Sequence, residues 1–155
     1  MATKTSVQFT SKGIDYETPS DIFDPLDDEF HFTLDVAASH TNAKCDNYYT
    51  EEDDALTQSW IGTCWMNPPY GRALRRFVKK AYESAQCGST VVCLIPVRAN
   101  TKWWHQYVMR ASEIRLINGE VKFVGHERGL WWAMCIVVFK DSSGPPRLAS
   151  LNLRR

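Results

Sequence analysis

Thr63-Cys64-Trp65-Met66-Asn67-Pro68-Pro69-Tyr70-Gly71, answered further on by Val91-Val92-Cys93-Leu94-Ile95-Pro96, is the stretch that decides the fold. The first segment is a short apolar run (strand 62–66) stopped by an amide and two prolines. Between the segments, Leu74, Phe77, Val78, Ala81 and Ala85 recur at helical spacing over 72–86, which predicts an amphipathic helix. Gly88 ends it. The run 91–95 does not alternate, as suits a strand covered on both faces of a parallel sheet. Strand, turn, helix and strand in that order predict a parallel sheet with helical crossovers.

The rest of the chain extends this unit in both directions. Pro19 to Phe30 reads as a helix with Pro25 arguing for a break, and Phe32 to Val36 as a short strand ending in an acid. Downstream, a helix fits 101–111, strands fit Ile114–Ile117 and Ala133–Phe139, and Val121-Lys122-Phe123 suits a short hairpin partner. The expected fold class is α/β, a compact three-layer sandwich around a mainly parallel sheet. At 155 residues one domain is expected, spanning 16–141. Residues 1–15 read as a flexible N-terminus, and 142–155, with Gly144-Pro145-Pro146, as an irregular C-terminal tail.

Composition excludes several classes. Hydrophobic content of 44% and charged content of 23% are ordinary for a globular chain. No apolar run is long enough to span a membrane, and Met1-Ala2-Thr3-Lys4-Thr5 lacks the apolar core of a signal peptide. The five cysteines form no Cys-x-x-Cys pair, so reduced, structural thiols in a cytosolic compartment are expected. The four histidines show no metal-ligand spacing, and no metal is expected. Eighteen basic and eighteen acidic residues cancel. Any contact with nucleic acid must therefore come from a local patch, because a chain that coats nucleic acid is basic overall.

Asn67-Pro68-Pro69-Tyr70 sits where open α/β sheets bind ligands, at the carboxyl end of a strand. The Asn67 amide oxygen and the Pro68 carbonyl are two acceptors suited to both hydrogens of one exocyclic amino group. Pro69 holds residue 68 extended, and Tyr70 offers a face for a planar ring. The same residues also make a strand-ending turn. Asp35, followed by the small residues Val36-Ala37-Ala38-Ser39, suits a ligand's ammonium or ribose hydroxyl, or the cap of a following helix. Arg72, Arg75, Arg76, Lys79 and Lys80 make one basic stripe directly after the turn. It suits a phosphate backbone or merely a solvated helix face. Arg98, Thr101, Trp103, Trp104 and His105 follow strand 91–95 and combine cationic and aromatic groups. A core role is the more frequent one for Trp103 or Trp104 and the better expectation for Trp131-Trp132.

Taken in order, Tyr16-x-Thr18-Pro19, Leu34-Asp35-Val36-Ala37-Ala38-Ser39, Asn47-Tyr48-Tyr49-Thr50, Asp54-Ala55-Leu56, Asn67-Pro68-Pro69-Tyr70-Gly71 and Ile95-Pro96-x-Arg98-x-x-Thr101-x-Trp103-Trp104-His105 resemble the small phage-encoded DNA N6-adenine methyltransferases. The likeness covers roughly residues 15–140. It implies a Rossmann-like fold that uses S-adenosylmethionine to methylate N6 of a flipped-out adenine, with DNA as partner. It further implies action in the host bacterial cytoplasm and protection of phage DNA from restriction.

By this resemblance Asn67, Pro68, Pro69 and Tyr70 are catalytic, and Tyr16, Thr18, Pro19, Asp35, Ala37 and Asp54 bind the cofactor. Arg72, Arg75, Arg76, Lys79 and Arg98 bind DNA. RNA or a protein glutamine amide is an alternative acceptor, and a non-catalytic DNA-binding relative a third possibility. The chain departs from the family pattern in Ala37-Ala38-Ser39, where a Gly-rich motif is common. It departs again in Gly119-Glu120-Val121-Lys122-Phe123, where Gly-Arg-x-x-Phe is usual.

Overall fold

A computed structural model describes residues 16–153; the expected flexible segment 1–15 and residues 154–155 lie outside the described residues. The elements are α1 (Ser20–Phe30), β1 (Leu34–Asp35), β2 (Thr63–Met66), α2 (Leu74–Gln86), β3 (Thr90–Pro96), α3 (Lys102–Gln106), β4 (Glu113–Asn118), β5 (Met134–Phe139) and β6 (Arg147–Asn152). One six-stranded sheet has the order β1-β2-β3-β5-β4-β6.

β1, β2 and β3 pair in parallel, and β4 pairs in parallel with β6. β5 is antiparallel to both β3 and β4, so five strands share one sense and β5 alone reverses it. The expected mainly parallel sheet is present.

Both faces of β3 find a partner. Val91, Cys93 and Ile95 of β3 join Leu74, Phe77, Val78, Ala81 and Ala85 of α2 in one buried cluster, with Trp104 and Val108 beside them. Val92 and Leu94 point the other way and pack with Ile22, Phe23 and Leu26 of α1 and with Val121 and Phe123. Burial on both faces explains the unalternated apolar run. Truncating a fully buried aromatic such as Phe77 to Ala costs about 3–5 kcal/mol.

Several expectations are corrected. α1 is unbroken across Pro25, because Pro25 lies on the exposed face, where the carbonyl it leaves unbonded meets water. The helix expected over 101–111 is shorter, α3 giving way to a 3-10 turn at Val108–Arg110. Val121–Phe123 forms no strand; Val121 instead accepts a backbone bond from Leu130 (3.1 Å).

The tail expected to be irregular over 142–155 contains β6, which pairs residue for residue with β4 from Glu113–Arg147 to Asn118–Asn152. Backbone pairing to an open sheet edge, rather than an apolar pattern, makes this strand.

Parallel sense puts the carboxyl ends of β1, β2 and β3 at one edge of the sheet. The reversed β5 starts at that same edge, since Met134 pairs with Pro96. The segments 36–54, 67–73, 97–101 and 119–133 therefore converge there.

Candidate active site

Two cavities lie at this edge. The first, about 660 Å³, is walled by segments 16–18, 35–44 and 49–55 and by Asn67–Tyr70. The second, about 650 Å³, is walled by Gly71, Arg72, Leu74, Arg75, Pro96, Arg98, Thr101, Trp103 and Trp132. Tyr70 is the one residue common to both.

Asp35 organises the first cavity. It is 3% exposed, and its carboxylate accepts the Ala37 N–H through Oδ1 (3.2 Å) and the Lys44 N–H through Oδ2 (3.0 Å). Its own amide donates to Asn47 O, and its carbonyl accepts from Tyr49 N. Burial pushes its carboxyl above the usual range, opposed by the two amide bonds and by the charge of Lys44. No helix follows Asp35, so the capping alternative is set aside. The carboxylate instead wraps loop 36–44 around itself and holds Ala37 and Ala38 in the wall.

Asn67 is fixed from two sides. Its Nδ2 donates to Tyr16 O (2.6 Å) and to the buried Thr18 hydroxyl (3.0 Å), which orients the amide. Its Oδ1 then faces the Tyr70 hydroxyl, which donates to it at 2.5 Å and lies 3.3 Å from Leu94 O. Burial raises the Tyr70 hydroxyl well above the ordinary phenol range, so it stays a donor. One lone pair of Oδ1 remains. Among the described residues none donates to the Pro68 carbonyl. The Tyr70 ring stacks on Tyr16 (5.5 Å, 23°), and Tyr16 stacks in turn on His126 (5.4 Å, 23°).

Of the residues singled out in the sequence, Tyr16, Thr18, Asp35, Ala37, Asn67, Pro68, Pro69 and Tyr70 meet around the first cavity. Pro19 does not. It starts α1, and its carbonyl accepts from Ile22 and Phe23. Asp54 is exposed with φ 51° at the start of a 3-10 turn, and Glu51, Glu52 and Ala55 take the wall instead. Sequence reading also missed Glu17 and Lys44, a 3.2 Å ion pair in the wall. They are far apart in the chain and carry no motif.

The basic stripe divides. Arg72 and Arg75 enter the second cavity and pair with no carboxylate among the described residues. Arg76 is exposed outside it. Lys79 pairs with Glu83 (3.6 Å), while Lys80 donates to Leu56 O (3.1 Å) over the Trp60 ring. Arg98 donates to Val97 O and lies over the Trp132 ring at 5.7 Å.

The tryptophans divide too. Trp104 is core, whereas Trp103 and Trp132 line the second cavity. Trp131, for which a core position was the better expectation, is 85% exposed. Among the described residues no group of His, Cys, Asp or Glu is arranged to hold a metal, and no helix is long and apolar enough to cross a membrane.

A family model described as DNA N-6-adenine-methyltransferase (Dam) matches residues 5–134. The chain is similar to the DNA N-6-adenine-methyltransferase of Haemophilus phage HP1 (strain HP1c1), 35% identical over 133 residues, covering 83% of this chain and 76% of the relative. It is 31% identical over 109 residues to the DNA N-6-adenine-methyltransferase of Escherichia phage T1, covering 68% and 45% respectively.

Proposed function

The chain belongs to the DNA N-6-adenine-methyltransferase family, and on that premise we propose that its two cavities divide the reaction between donor and DNA. The activity is methylation of adenine N6 in DNA. The first cavity takes the donor, S-adenosylmethionine, and its residues fit that group. The volume lies within the ordinary range for small-molecule sites. Ala37 and Ala38 let a ligand approach the backbone. The carboxylates of Glu51 and Glu52 suit hydroxyl and ammonium donors, and Tyr16 and Tyr49 give it flat walls. When bound, this group supplies an electrophilic methyl.

The target adenine meets that methyl beside Tyr70, at the border of the two cavities. Asn67 Oδ1 and the Pro68 carbonyl accept the two N6 hydrogens, drawing the nitrogen lone pair out of ring conjugation and toward the methyl carbon. With S-adenosylmethionine bound, its methyl would pass to N6 as the bond to sulfur breaks, and one N6 proton would leave to solvent. Positioning and preorganised dipoles are the catalytic contributions. Tyr70 stacks the base. Thr18 acts through Asn67, as a positioning residue, rather than on the donor alone.

Arg72, Arg75 and Arg98 hold phosphates on the far side, with Arg76 adding charge at the edge. Lys79 contributes less because Glu83 neutralises it. Helices against both sheet faces support a three-layer Rossmann-like reading, with a methyltransferase domain of 16–141 that β6 extends. The expected place of action is the host bacterial cytoplasm.

The orientation of the Asn67 amide, anchored at Nδ2 and left with one lone pair on an Oδ1 that Tyr70 also contacts, carries this reading. The test is incubation with S-[methyl-³H]adenosylmethionine and duplex DNA, RNA or bulk protein. Label recovered as N6-methyldeoxyadenosine is expected. Label in RNA or protein alone would replace the acceptor, and donor binding with no transfer would remove the assigned mechanism.

A further inference from the structure

We propose that Trp131 is a wedge that enters the base stack of duplex DNA and fills the gap left by the flipped adenine. The inference rests on the reading that DNA crosses the second cavity. Trp131 is 85% exposed, more than any other large hydrophobic among the described residues. Tryptophan is enriched at interfaces, where a partner covers its large apolar ring.

Its position is built, not loose. On one side Leu130 N donates to Val121 O (3.1 Å), and on the other Val97 N donates to Ala133 O (2.9 Å). The chain is thus pinned on both flanks of Trp131. Beneath it, Trp132 turns inward, edge-on to Trp131 at 5.5 Å and 80°. Trp132 lines the second cavity with Arg72, Arg75 and Arg98. Gly129 lets the segment pass under Glu120, since a Cβ there would lie 2.5 Å from Glu120 Cβ.

An apolar ring is therefore held out against Trp132, the residue that lines the cavity of Tyr70 and the three arginines. Charge complementarity selects a polyanion as the occupant of this surface rather than a second copy of a neutral chain. Apolar side chains that insert between base steps offset the unstacking that extrusion requires. A wedge matters only where a stack exists, so its loss should distinguish duplex from single strand.

Wild-type, Trp131→Ala and Trp131→Phe proteins are given labelled S-adenosylmethionine with single-stranded phage DNA and with the duplex form of the same sequence. Trp131→Ala should lose at least about tenfold in duplex methylation while keeping its single-strand rate within about twofold. Trp131→Phe should retain most of the duplex rate. Independently, adding duplex should quench intrinsic fluorescence in the wild type, and Trp131→Phe should lack that part of the quench.

Equal losses on both substrates, no loss on either, or a quench unchanged in Trp131→Phe would overturn the proposal. A protein self-associating through Trp131, seen as a mass change in Trp131→Ala by light scattering, would also overturn it. Wild type labelling no DNA in either form would instead overturn the functional reading beneath it.

Discussion

The two cavities are nearly equal in volume and share Tyr70, yet they are built in opposite ways. Around the first, polar side chains are spent on one another. Asp35 holds two amides, Asn67 is held by Tyr16, Thr18 and Tyr70, and Glu17 pairs with Lys44. Around the second, Arg72 and Arg75 hold nothing among the described residues, and Arg98 rests on an aromatic face. A satisfied network fixes a geometry; an unsatisfied cationic rim awaits a partner that brings its own charge. The difference explains how a chain of zero net charge works on a polyanion. Glu17, Asp35, Glu51 and Glu52 line the first cavity, and Arg72, Arg75 and Arg98 line the second.

Breaking the fixed side should show the largest effect. Asn67→Ala removes the acceptor proposed to act in the transition state and should lower kcat by about 10³-fold, as loss of a preorganised catalytic dipole does. Donor affinity by calorimetry should stay near wild type. Retained turnover would take Asn67 out of the mechanism. Thr18→Val keeps shape but removes one anchor of the Asn67 amide. A net hydrogen bond near 1 kcal/mol predicts a kcat about five- to tenfold lower with KM for DNA unchanged. A rise in KM alone would return Thr18 to ground-state binding.

The second side should yield to a change that leaves the first intact. Gly129→Ala drives a methyl into Glu120 and the Val121 carbonyl, displacing the segment that carries Trp131 and Trp132. Overpacking of this kind costs about 1–3 kcal/mol. We expect DNA affinity to fall several-fold by fluorescence anisotropy, with donor affinity held. A fall in donor affinity instead would mean that the two cavities are not separable.

The smallest effect lies away from both. Arg115 holds Glu29 through paired bonds of 2.6 and 2.7 Å and also contacts Glu113, keeping both carboxyls below the usual range. Depressed carboxyl values stabilise the fold in full above the unfolded value near 4.5 and progressively less as pH falls through the folded values. Asp35, raised by burial, has the opposite sign: its ionisation opposes folding as pH rises through its folded value. A Tm profile from pH 7 to 3 should fall below about 4.5 in the wild type. It should fall less steeply in Arg115→Met. The effect is modest because the Glu29 pair is half exposed.

Much of this was legible in the chain. The α2 stripe, the β3 run and the Asn67–Tyr70 turn carry local periodicity and turn chemistry that survive without tertiary information. What escaped is non-local. The Thr18–Asn67 bond spans 49 residues, and Thr18 alone gives no sign that it orients an amide. β6 has only a half-buried face, at Ala149 and Leu151, to announce it, and it pairs along the edge that β4 offers. Trp131 and Trp132 are chemically identical neighbours, and only the pins at Leu130 and Ala133 decide which one faces out. The basic stripe was visible, but not that two of its lysines are occupied by Glu83 and the Leu56 carbonyl.

The division of labour between the cavities is tested most directly by titrating S-adenosylmethionine and duplex DNA separately into Arg72→Glu/Arg75→Glu. Reversing the two charges proposed to contact phosphate should weaken DNA binding by about 10²-fold and lower the dependence of log affinity on log salt by about two. Donor affinity should remain within about twofold of wild type, because neither arginine borders the first cavity. Loss of donor binding together with DNA binding, or DNA affinity and salt dependence left intact, would contradict the account.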